Sequence, residues 1–167
     1  MRKQVFTTLF ALSFAFLGSR AASAQTTNSD TSTVTYEVTA IALLDLSGTA
    51  SVTINSGTVG VSLTDATDLV GMTYAITNNA GSNSKKLVGK LSAAPTSPTV
   101  LSVNVAAPTG GASLGYVALT ASDQDLVTGV DDVNEAGIAI GFKLHSTVAA
   151  GVVESASPDF TMTIVGT

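Results

Sequence analysis

The chain has 167 residues, 45% hydrophobic and 11% charged, with a formal charge of −5, no cysteine, no tryptophan and one histidine. That composition excludes disulfide staples, thiol chemistry and any zinc or catalytic centre built on paired His or Cys. Its acidity also argues against nucleic acid as a partner, because phosphate binding needs clustered Lys or Arg.

Residues 1–24 read as a secretory signal peptide. Arg2 and Lys3 form a positive start, Val5 to Gly18 a short apolar stretch, and Ala22-Ser23-Ala24 the small residues before a cleavage site at Gln25. The apolar stretch is shorter than the roughly 20 residues of a membrane span, and no transmembrane segment is expected in the mature chain. The product is expected to be secreted, to the extracellular space, the cell surface or the periplasm. Removing Arg2, Lys3 and Arg20 leaves four cations against twelve carboxylates, a formal charge of −8. Small exported domains often rely on disulfides. This one must rest on burial, β-ladders or association.

Residues 25–32 are polar and unpatterned, a flexible N-terminal arm leading into a single domain at 33–167. Val34, Tyr36 and Val38 alternate with Thr35, Glu37 and Thr39, the period of a half-buried strand. The phase slips from Ile41 to Leu46, which predicts a bulge or a second strand. Val52 and Ile54, then Asn55-Ser56-Gly57, then Val59, Val61 and Leu63 predict a hairpin with Gly57 in the turn. An acidic loop follows at 64–68, then a strand carrying Met72, Tyr74 and Ile76, and a turn over 78–84.

Further strands are predicted at 85–91, 99–106 and 113–120, with Pro95, Pro98 and Pro108 between them, where a missing N–H harms no ladder. Lys85, Lys86 and Lys90 read as a solvated edge guard. Asp123 to Glu135 is predicted to be an acidic loop with one apolar piece at Leu126-Val127. Ile138 to Leu144 alternates, 149–158 connects, and Phe160, Met162 and Ile164 form a closing strand. The whole reads as all-β: an antiparallel β-sandwich, Greek-key or jelly-roll-like, of roughly eight to ten strands. Five aromatic residues after Gln25 are too few for the two girdles of a membrane barrel.

Few residues remain to carry chemistry. Asp123, Asp125, Asp131 and Asp132 are candidate calcium ligands, since calcium takes carboxylate and carbonyl oxygens from loops. Their spacing matches no EF-hand, and Asp also begins turns and keeps surfaces soluble. Beyond calcium no cofactor is expected. His145, without a second His or a Cys, makes neither a zinc site nor a dyad. No catalytic residue is assigned. The chain is read as a non-enzyme.

The exported, cysteine-free pattern, with Thr33-Val34-Thr35-Tyr36-Glu37-Val38-Thr39-Ala40 at the front and Phe160-Thr161-Met162-Thr163-Ile164-Val165 at the end, resembles bacterial surface-fibre and matrix subunits, the pilins and TasA-like fibre proteins. It departs from the chaperone–usher pilins that contain a disulfide. The resemblance implies a structural subunit that polymerises by strand addition, with itself or other cell-surface proteins as partners. Val34, Tyr36 and Val38 would then fill a neighbour's pockets. Alternatively Thr33 to Ala40 is the first strand of its own sandwich. The competing functions are a calcium-dependent or ligand-binding adhesion module and, third, a small carboxylate-based hydrolase.

Overall fold

The structure, a computed structural model, describes residues 30–79 and 85–166. The secretory signal, residues 25–29 of the arm and 80–84 of the predicted turn lie outside the described residues. By its internal contacts the chain divides between Glu37 and Val38. In the first unit, residues 30–37 are exposed and form no regular secondary structure.

The second unit, Val38–Thr167, carries every strand among the described residues. These are β1 (Ala42–Gly48), β2 (Ala66–Asn78), β3 (Lys85–Leu91), β4 (Val100–Val105), β5 (Ala112–Ser113), β6 (Tyr116–Ala118), β7 (Gln124–Val130), β8 (Val133–His145) and β9 (Phe160–Gly166), with one 3-10 turn at Val148–Ala150. No helix among them is long and apolar enough to cross a membrane. All pairings between strands are antiparallel. One sheet has the order β1-β2-β8-β4-β6 and the other β5-β7-β3-β9.

A single core joins the two sheets, as in a β-sandwich. Tyr74, Ile76, Val103, Val105, Ile140 and Phe142 come from the first sheet, and Leu87, Leu91, Leu126, Val127, Val130 and Met162 from the second. Outside the irregular β7, alternation on the strands sends these residues to one face, and burying them removes apolar surface from water. Phe142 and Phe160 meet edge to face across the core, with ring centres 5.5 Å apart. Every connection after β2 crosses from one sheet to the other.

The core strands follow the predicted pattern at β3, β4, β8 and β9. The differences have local causes. Asp123 to Glu135 is not a loop but β7 and the start of β8. Pairing with β3 is irregular around Leu87, and Leu126 and Val127 are both buried, so the strand shows no alternation. Strand β2 begins at Ala66, inside the predicted acidic loop, and a bulge between Asp68 and Met72 hides its period. The predicted hairpin is short and shifted: Thr64 N–H donates to the Ser56 carbonyl (3.0 Å) and Thr58 N–H to the Ser62 carbonyl (3.2 Å), so the turn falls at Gly60 and Gly57, bridged to Leu63, lies in an arm. The stretch 113–120 is broken at Leu114-Gly115, where the chain passes from β5 in one sheet to β6 in the other. Finally, 33–40 has the pattern of a strand but no ladder. Strand β1 starts at Ala42, opposite Asn78, the last residue of β2.

Candidate functional site: an open sandwich edge and an unpaired segment

The two lateral sides of the sandwich differ. On one side the edge strands are β5 and β6, of two and three residues. The chain between them wraps the corner: Leu114 N–H donates to the Leu126 carbonyl (2.9 Å), and Ser113 Oγ donates to the Val105 carbonyl (2.6 Å). Short strands and a wrapped corner leave little edge to pair. On the other side both edges, β1 and β9, are seven residues long. Among the described residues no strand pairs with the outer side of either.

The direction of the free groups on β1 follows from its end. Asn79 N–H donates to the Ile41 carbonyl (3.1 Å), so Ile41 and Asn79 form a bonded pair. In an antiparallel ladder bonded and non-bonded pairs alternate. Leu43, Asp45 and Ser47 therefore bond β2, while Ala42, Leu44 and Leu46 turn their N–H and C=O groups outward. The Leu44 and Leu46 side chains lean on the core yet stay half-exposed. A shallow groove of about 140 Å³ runs beside them, lined by Leu43, Leu44, Asp45, Ala75, Ile76 and Thr77. The slip in phase at Ile41 offered a bulge or a second strand here; the strand is β1, and its place at the sheet edge was not legible in the pattern.

Asn79 also ties down the chain before β1. Its Nδ2 donates to the Thr39 carbonyl (3.2 Å), and its Oδ1 accepts from Ile41 N–H at short range. Before this clamp lie Val34, Tyr36 and Val38, whose exposures are 80%, 89% and 78%. Alternating apolar residues this exposed leave apolar surface in water that a strand partner would cover.

The acidic residues are placed differently from a metal centre. Asp123 and Asp125 are held by lysines of β3, with Lys86 Nζ 2.8 Å from Asp125 and Lys90 Nζ 3.4 Å from Asp123. Asp131 and Asp132 lie beyond the other end of β7, and the Asp131 carbonyl accepts from Asn78 Nδ2 (2.7 Å). At about 3.3 Å per residue the two pairs stand about 20 Å apart, so the four candidate ligands do not converge on one ion. Among the described residues no three His, Asp or Glu side chains gather as a metal site would require.

The remaining polar groups brace the fold. Asp65 Oδ1 lies 2.6 Å from His145 Nδ1, across the start of β2 and the end of β8. The Asp68 carboxylate accepts from the N–H groups of Ser51 (3.0 Å), Val70 (3.2 Å) and Gly71 (2.9 Å), closing the β2 bulge. Those bonds, from Ser51 first and then Val70, hold it below its ordinary value of 3.8. Tyr74 Oη donates to the Ala106 carbonyl (2.7 Å) inside the core. Burial, and secondarily the charge of Glu135, push its ionisation upward, so it stays a protonated donor.

Comparison with known proteins finds no matching family model, no matching curated protein and no matching solved structure.

Proposed function

We propose that this chain is a secreted, non-enzymatic structural protein of a bacterial surface or matrix, a subunit that self-assembles by strand addition. The observation that carries this reading is the segment Thr33–Ala40. It has the alternation of a strand, yet it is exposed and unpaired. A strand-forming segment without a ladder in its own sheet has main-chain groups and apolar side chains to offer another copy. The open β1–β9 side supports the same reading, because such edges are templates for pairing. The crossing connections after β2 support a Greek-key or jelly-roll sandwich.

Purified protein beginning at Gln25 is expected to form filaments visible by negative-stain microscopy. The same protein lacking residues 25–40 is expected to stay a folded monomer by light scattering and circular dichroism. Monomers from the undeleted protein at high concentration would reject the proposal.

A further inference from the structure

We infer that the outer edge of β1 is the acceptor, and that its occupant is the segment Thr33–Ala40 of a second copy, running antiparallel to it. This rests on the reading that the segment adds to a neighbour. It goes further in naming the edge and the register.

Two observations point to β1 of another copy, and length permits it. First, the sequence disfavours a fold-back of the segment onto its own β1 edge. The segment would have to reverse just before Ala42, and residues 33–41 (TVTYEVTAI) contain no Gly, Pro, Asn or Asp with which to build a tight turn. The Asn79 clamp on Thr39 and Ile41 moreover holds the lead-in to β1 as a continuation of its ladder. Second, β1 has more uncovered inward surface than β9. On β9 Met162 is 7% exposed and sealed between half-buried Phe160 and Ile164, whereas on β1 no core-facing residue is sealed: Leu44 and Leu46 are half-buried and Ala42 is exposed. Length permits either edge, since the segment has eight residues against seven in β1 and seven in β9.

The register follows from face and charge. The outward main-chain groups of Ala42, Leu44 and Leu46 must meet residues whose side chains fall on the core side, so Val34, Tyr36 and Val38 are their partners. Setting Tyr36 opposite Leu44 puts Val34 on Leu46 and Val38 on Ala42, three apolar pairs, with Thr35 opposite Asp45. Sliding by two residues to set Tyr36 opposite Leu46 would place Glu37 opposite Asp45, and like charges directly opposite destabilise a ladder. Asp45 thus excludes that slide, and the opposite one, with Tyr36 on Ala42, would leave Leu46 facing Ser32 and lose an apolar pair. Asp45 also guards the edge, because two β1 strands paired antiparallel about their centres would bring Asp45 onto Asp45. Donor and acceptor are different surfaces of one chain, so the contact is head-to-tail and propagates.

The absence of cysteine makes the assignment testable by cross-linking. Full chains from Gln25 onward carrying Tyr36→Cys are mixed with chains carrying Leu44→Cys, or with chains carrying Ile164→Cys on β9, and oxidised under conditions that give filaments. Only Cα atoms within about 7 Å can be bridged, so the 36–44 disulfide dimer is expected to exceed the 36–164 dimer by about tenfold. Val34→Cys with Leu46→Cys is the second pair, in case the first perturbs folding, and should cross-link as well. Filaments with a dominant 36–164 product, or with neither β1 product, would overturn β1 as the acceptor while leaving assembly by the segment standing. A Tyr36→Cys/Leu44→Cys double variant that closes within one chain would also overturn it. No filaments and no cross-link would overturn both this assignment and the function it rests on.

Discussion

Asp68 and Tyr74 show how few polar side chains this fold uses and how much each one holds. The native carboxyl of Asp68 titrates below 3.8, so it stabilises the fold fully above that value and progressively less as pH falls toward its lowered native value. Urea midpoints of the wild type and Asp68→Asn should therefore differ by a constant amount from neutral pH down to about 4 and converge below it. A difference that stayed constant into stronger acid would contradict the role given to its backbone bonds. Tyr74 is 1% exposed, and its hydroxyl supplies a donor to the Ala106 carbonyl. Tyr74→Phe keeps the ring and removes the donor, which should cost about 1–2 kcal/mol in denaturant unfolding. The lysine–aspartate pairs on β3 and β7 are half-exposed, so neutralising either lysine should change stability by less than about 1 kcal/mol.

Strand β3, central in its sheet, depends on Gly89. A Cβ there would stand 2.6 Å from Leu126 Cδ1 and 2.9 Å from Phe160 Cε2, where side chains of β7 and β9 close over the strand. Gly89→Ala should lower stability by about 1–3 kcal/mol through overpacking, read as a fall in melting temperature. Gly71 is constrained by backbone as well. Its Cβ would collide with the Thr49 carbonyl and the Asp68 carboxylate, so the β2 bulge requires glycine at that point. Elements whose residue types alternate, such as Ile138 to Leu144, were legible in the sequence because their large apolar side chains all fall on the core face, even though Gly141 on the other face is buried as well. Strand β7 was not. Its acidic ends belong to ion pairs and a turn, and its middle is buried without alternation, so residue type alone signals a loop. The hairpin predicted around Gly57 forms three residues later, with its turn at Gly60; Val59 and Val61 are 101% and 70% exposed, so it joins neither sheet. The candidate calcium ligands share this limit, since closeness in sequence along a strand is distance in space.

The sandwich and the segment before it should prove energetically separate. Val34 and Tyr36 are almost fully exposed, and removing such residues rarely moves stability by more than about 0.5 kcal/mol. Deleting residues 25–40 should thus leave the melting temperature nearly unchanged, whereas Leu87→Ala in the core should cost about 2–5 kcal/mol. Separate responses of this kind would match a body that folds alone and a segment with work to do elsewhere. The sequence by itself determined the all-β class, because period-2 alternation and turn-forming residues need only local chemistry to be read. It also marked Val34, Tyr36 and Val38 as a strand in form. Only the tertiary structure decided that this strand lacks a ladder, that the acidic residues lie at two ends of β7, and that one side of the sandwich is wrapped while the other is open. Edges and convergent sites depend on which strands become neighbours, and that is set by burial across the whole core rather than by any one segment.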